Sequence, residues 1–148
     1  MTKLEDRNSK LETGSTASET RIRDFTDLQV WQLARELRKQ VYKLVRKFPP
    51  EEKFGLASQV QRAAISITAN IAEGFGRYSY QENIQFCRTA RGSALEVRDH
   101  LISAEDQNYI SAAEHKDVAA LAQRVIQTLN GYIRATKERQ TLKKPGTL

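Results

Sequence analysis

Residues 61–77 gather the side chains of this sequence best placed to do chemistry. Arg62, Ser66, Asn70 and Glu73 follow one another at spacings of four, four and three, and lead into Gly74, Phe75, Gly76 and Arg77. Backbone amides freed by glycine can cradle a phosphate, so this break could pass for a phosphate-binding loop. Helix termination accounts for it more cheaply, because Gly74 or Gly76 can supply the left-handed conformation that ends a helix. The spacing sets the four polar residues along one side of a helix, with Arg77 four residues beyond Glu73 and able to pair with it. Asn70 borders the apolar seam, where an unbonded amide is costly, so it needs a partner. Two uses stand open for this edge: a polar network that fixes helix register, or a ligand- or partner-binding groove.

Other chemistry is thin. A di-iron bundle needs glutamates on two helices and Glu-x-x-His on the other two. Here Asp99 and Asp117 stand three residues after Glu96 and Glu114, and His100 and His115 follow no such glutamate. The single cysteine, Cys87, falls on an apolar helical stripe, where a thiol behaves as a small hydrophobe. No P-loop and no Ser/His/Asp constellation stands out. The expectation is a protein with no catalytic residues, no metal and no cofactor.

The 148 residues are enough for one domain with a real core, and 3 prolines with 7 glycines suit long helices better than a turn-rich sandwich. No apolar run reaches membrane-spanning length, and no apolar segment near residue 1 reads as a secretory signal. One cysteine allows no internal disulfide, so a cytoplasmic location and no membrane partner are expected. The formal charge of +6 is unevenly spread: residues 27–50 hold 6 basic and 2 acidic side chains, and residues 134–148 hold 5 and 1. Each segment therefore carries +4, while residues 51–110, with 6 and 8, carry −2. Such a field favours anionic partners, RNA or DNA first. A merely solvated lysine- and arginine-rich surface is the plainer alternative.

Four helices must position these groups. Residues 1–23 show no apolar period and read as a disordered N-terminal arm. The first helix starts near Thr26 or Asp27, either of which can cap it, and carries Val30, Ala34, Leu37, Val41, Leu44 and Phe48 on one face. Pro49 and Pro50 stop it. The second carries Leu56, Val60, Ala63, Ile67 and Ile71. Ser79 and Glu82 form a capping box for the third, whose seam is Cys87, Ala90, Ala94, Val97, Leu101 and Ala104. After a break at residues 108–110, Ser111 and Glu114 form another box. The fourth helix buries Val118, Ala122, Val125, Leu129 and Tyr132 or Ile133, and frays beyond residue 140. Short connections make antiparallel neighbours the default. The predicted fold is all-α, an antiparallel up-down-up-down four-helix bundle over residues 24–140, with a basic disordered tail at 141–148.

Three helices carry apolar positions beyond one core seam. Trp31, Arg35, Arg38 and Tyr42 lie together on the first, Ile84, Arg88, Arg91, Leu95, Arg98 and Ile102 on the third, and Ile65, Ala69 and Ala72 on the outer side of the second. Surplus stripes suit subunit contact, and arginine mixed with aromatic rings suits protein or nucleic acid. Trp31 and Tyr42 could equally sit at the core boundary with one edge in water. The candidate binding set is Trp31, Arg35, Arg38, Lys39, Tyr42, Lys43 and Arg46, with Arg134, Lys137 and Arg139 near the other end of the chain.

Several separated motifs resemble one family. Phe25, Asp27, Leu28, Val30, Trp31 and Ala34 resemble its opening F-x-D-L-x-V-W-x-x-A, and Phe48, Pro49, Glu52, Phe54, Gly55 and Leu56 its first loop. Gln61, Arg62, Ala63, Ala64, Ser66, Ile67, Asn70, Ile71, Ala72, Glu73 and Gly74 resemble its central signature, and Ala90, Arg91, Gly92, Ser93 and Glu96 its third helix. Over residues 24–135 the chain looks like the four-helix-bundle proteins encoded within intervening sequences of bacterial 23S ribosomal RNA genes. These are similar in fold to accessory proteins of diversity-generating retroelements, which act beside a reverse transcriptase and bind nucleic acid, and which look like ring-shaped pentamers. The resemblance implies a homo-oligomer, a pentamer by that likeness, a connection to RNA or DNA, and no transferable active site. The chain departs from the pattern in its long N-terminal arm and at Thr68, where proline is frequent. The function expected is a non-enzymatic oligomer that binds RNA or DNA through a basic surface. The alternative is an assembly or adaptor factor, for example for a reverse transcriptase, that touches no nucleic acid.

Overall fold

A computed structural model describes residues 21–143. Among them are four α-helices and no strand: α1 (Gln29–Val45), α2 (Leu56–Phe75), α3 (Tyr80–Asp106) and α4 (Ala112–Lys143). Each helix packs on its sequence neighbours, and α1 closes the ring against α4. The pairs Asn83–Tyr132, Arg91–Asn130 and Arg98–Gln123 run α3 and α4 in opposite directions. Ser66–Ser93 and the approach of Gly74 to Asn83 do the same for α2 and α3. This packing is consistent with the up-down-up-down order.

The predicted seams are the core. All the core positions expected on α3 are buried, as are Val30, Ala34, Leu37, Val41 and Leu44 on α1. On α4, Tyr132 and Ile133 are both buried. Phe48 and Leu56 pack half-buried against the cluster, with Phe48 tilted on Tyr109 at a centroid distance of 5.4 Å.

Besides the end of α1, which stops at Val45 short of Phe48 and Pro49, the helix ends differ from the reading in three places. Neither Thr26 nor Asp27 caps α1. The segment Phe25–Asp27 forms its own 3-10 turn, and the Asp27 carboxylate accepts from the amides of Arg23 and Asp24 at 2.9 and 3.0 Å. Leu28 then opens α1 without a side-chain cap, because leucine carries no hydrogen-bonding group; its side chain is wholly buried in the core instead. Ile22, assigned by pattern to the arm, is also buried; burial of an isoleucine is worth about 1.5–3 kcal/mol, which anchors this end of the arm on the bundle. At the other terminus α4 continues through Lys143, three residues past the expected boundary; the rest of the arm and tail lies outside the described residues.

The third difference concerns glycine. No described glycine has positive φ, and Gly76 ends α2 in right-handed geometry with φ −75°, its amide bonded to Ala72 O and Glu73 O. Gly74 lies inside the helix and is buried. A Cβ there would meet Asn83 Oδ1 and Phe86 Cβ at 2.9 Å, so the missing side chain serves close approach of α2 to α3.

The residue that does adopt the left-handed conformation is Asn108, at φ 59°. Its amide bonds Glu105 O at 2.8 Å and the Tyr109 amide bonds Ala104 O at 2.9 Å, a Schellman closure that ends α3. Both predicted boxes place their serines as caps: Ser79 Oγ accepts from Glu82 N at 3.1 Å, and Ser111 and Glu114 exchange both bonds at 3.0 Å.

Candidate functional site

The basic residues of α1 form a groove. Arg38, Lys39, Tyr42, Lys43 and Arg46 line an open depression of about 380 Å³ along the outer side of the helix. Val41 and Leu44 bind the opposite face to the core, which forces these neighbours outward. Arg38 is fixed at the inner margin, where Nη1 donates to Thr68 Oγ1 of α2 at 2.9 Å. The only carboxylate on α1, Glu36, accepts from Gln40. The ion pairs found among the described residues are Lys47–Glu114, Arg77–Glu73, His100–Glu96 and His115–Glu105, so none of their carboxylates neutralises the groove.

The rest of the candidate set does not join it. Trp31 is half-buried, edge-on to Phe25 at 5.4 Å, with the Arg35 guanidinium over its face at 5.8 Å. These two residues therefore close the start of α1. The Lys47–Glu114 pair brings the end of α1 to the start of α4, leaving Arg134, Lys137 and Arg139 toward the opposite end of the bundle. Lys137 instead lines a separate groove of about 540 Å³ with Arg88, Gln85 and Ser79.

The polar edge of α2 divides in two. Ser66 Oγ shares a hydrogen bond with Ser93 Oγ of α3 at 2.8 Å, and Asn70 Nδ2 donates to Ser66 O at 2.8 Å and to Ser66 Oγ at 3.0 Å. Asn70 thus finds its expected partner, and these residues lock α2 on α3. Arg62 and Glu73 are exposed, and Glu73 pairs with Arg77 at 2.8 Å as the spacing anticipates.

The second seam of α3 is not all surplus. Ile84 is buried in the core, while Arg91 donates to Asn130 at 2.9 Å and Arg98 to Gln123 at 3.0 Å, so these arginines fasten α3 to α4. Leu95 and Ile102 remain half exposed, as does Ile65 on α2.

Two positions escaped sequence reading. Thr68, read only as a departure from proline, is buried and anchors Arg38; its signal was a hydroxyl inside the apolar line of Ala64, Ile67 and Ile71. Asn83 is buried and donates to Tyr132 Oη at 3.1 Å, with the Cys87 thiol on its Oδ1 at 3.7 Å. Burial pushes that thiol up to about 12, which removes it as a nucleophile near neutral pH. Among the described residues no three His, Cys, Asp or Glu side chains cluster to hold a metal, and no helix is long and apolar enough to cross a membrane.

The fold has solved counterparts. A protein of unknown function from the S23 ribosomal protein family of Bacteroides thetaiotaomicron superposes with a TM-score of 0.66 at 21% identity, covering 71% of this chain and 98% of its own. At that identity the likeness concerns the fold. No curated protein matches the sequence. The sequence profile described as 23S rRNA-intervening sequence protein matches residues 26–131, which takes in α1, α2, α3 and most of α4. On that match the chain belongs to the 23S rRNA-intervening sequence protein family.

Proposed function

We propose that this bundle is a binding protein, not a catalyst, and that it holds RNA or DNA on the basic groove of α1. The observation that carries the reading is the groove itself: Arg38, Lys39, Lys43 and Arg46 surround an exposed ring, and among the described residues no carboxylate pairs with any of them. Uncompensated cations on one face attract a polyanion and release its counterions, which supplies sequence-independent affinity. The family description, which names an rRNA, agrees with a nucleic-acid partner. Replacing Lys39, Lys43 and Arg46 together by glutamate is expected to abolish binding to RNA and DNA near physiological salt. Each phosphate left without its cation should also lower the salt slope by about 0.7–0.9. A wild-type protein that binds neither polymer in a salt-dependent way overturns the reading.

Ile65, Leu95 and Ile102, each 42–50% exposed, favour protein contacts in addition, and self-association is the contact proposed. Light scattering is expected to return a mass several times the 16.9 kDa of one chain, and Ile65→Lys or Leu95→Lys to reduce it. A monomer at micromolar concentration overturns that part. An adaptor role for a reverse transcriptase without nucleic acid would instead show as partner capture that survives both nuclease treatment and the triple glutamate substitution.

A further inference from the structure

We infer that the groove is built for single-stranded nucleic acid and that Tyr42 is the platform on which one unpaired base stacks. The inference rests on the nucleic-acid reading above and names the form of polymer that the same site takes. Two rings were placed among the α1 cations by the sequence, and the structure gives them opposite fates. Trp31 is spent internally, its edge on Phe25 and its face under Arg35. Tyr42 has no ring partner and no hydrogen bond among the described residues, is 40% exposed, and lines the groove. Its surroundings are cations, with Arg38 one turn before, Lys39 beside it, Lys43 next along and Arg46 one turn after.

That order matches what an unpaired nucleotide offers. Arg38 and Arg46 stand eight residues apart, about 12 Å along the helix axis at roughly 1.5 Å per residue. They therefore flank the ring along the helix, where each can meet a phosphate of a strand whose base lies on it. A duplex presents phosphates but keeps its bases stacked on one another, so it can use the cations and not the ring. A splayed single strand can use both, and the ring is sequence-tolerant because every base has a π-face. Arg38, held by Thr68, gives that flanking pair one fixed end. An acidic protein segment would also meet the cations but has no base to lay on the ring.

The test compares oligo(U) with its duplex with oligo(A) of equal length by fluorescence anisotropy at one salt concentration. Wild type is expected to bind oligo(U) more tightly than the duplex. Tyr42→Ala should weaken oligo(U) binding about 5- to 100-fold and leave duplex binding unchanged, while Tyr42→Phe keeps wild-type affinity. Equal binding of both forms, with Tyr42→Ala affecting neither, overturns the stacking inference and leaves the basic-groove reading standing. Binding of neither form, and of neither oligo(dT) nor its duplex with oligo(dA), overturns the groove reading and this one with it. Polyglutamate competing as well as oligo(U) also overturns it, because the groove would then be a sink for any polyanion.

Discussion

Arg38 Nη1 donates to Thr68 Oγ1 at 2.9 Å, and Thr68 Oγ1 donates in turn to Ile65 O at 3.1 Å. One buried hydroxyl thus joins α1 to α2 and sets the inner wall of the basic groove. The guanidinium keeps its charge available because its partner is neutral.

Thr68→Val tests that joint. Valine keeps the shape and the β-branch but leaves a part-buried arginine donor without its acceptor, at a cost of about 1–2 kcal/mol in urea unfolding. Thr68→Ser, which keeps the hydroxyl, should lose less. An unchanged midpoint for the valine variant would show that the bond contributes nothing net.

Gly74→Ala and Gly92→Ala should move stability in opposite directions. Both glycines lie inside helices, where alanine gains about 1 kcal/mol in propensity. At Gly92 nothing lies within 4 Å of the new Cβ, so that gain should appear almost whole. At Gly74 the Cβ would meet Asn83 Oδ1 and Phe86 Cβ at 2.9 Å, and Phe86 Cβ cannot swing away as a flexible tip can. Overpacking of about 1–3 kcal/mol, with disturbance of the Asn83–Tyr132 bond, should leave Gly74→Ala destabilised by about 1–2 kcal/mol. Equal stabilisation of both variants would refute the close-approach role.

Acid should loosen the end of the bundle where α1 meets α4. The hydrogen bond from Lys47, with help from the Ser111 amide and hydroxyl, holds the Glu114 carboxyl at about 2, below its ordinary 4.5. A depressed folded value means the stabilisation is fully present above about pH 4.5 and is lost as pH falls toward about 2. Urea midpoints measured across that window should therefore fall with pH, and Lys47→Met should flatten the fall. Midpoints that do not differ between wild type and Lys47→Met at any pH would count against it.

Cys87 offers a probe of the whole fold. Its thiol is fully buried and pushed up to about 12, so a thiol reagent should reach it only through unfolding. Labelling at neutral pH is expected to be slower than in denaturant by on the order of 10³-fold or more. Immediate labelling of the native protein would mean that the α3 seam opens locally.

The core was legible because it rests on period. Val30 to Leu44 on α1 and Cys87 to Ala104 on α3 repeat at three and four, and such repeats are buried wherever the helix finds neighbours. The Ser79 and Ser111 caps were legible for the same local reason, since each acts within three residues. Gly74 was misread because its cause lies on another helix, in the position of Asn83 and Phe86. The candidate site was half legible: the basic run of α1 forms a groove, but composition could not separate Arg38 to Arg46 from Trp31 and Arg35, or from the arginines at the far end of α4.

By itself, then, the sequence determined four amphipathic helices, their seams, two of their caps and an excess of charge on α1, all properties of residues within a turn or two of each other. Only the tertiary structure decided which polar groups are spent and which are free. Arg91 and Arg98 are taken up by Asn130 and Gln123, Trp31 by Phe25 and Arg35, Ser66 by Ser93 and Arg38 by Thr68, while Tyr42, Lys39, Lys43 and Arg46 have no such partner among the described residues. Most of those choices follow from how each helix is rotated and set in register against its neighbours. Rotation and register are fixed by the joint packing of all four seams, which no single stretch of sequence contains.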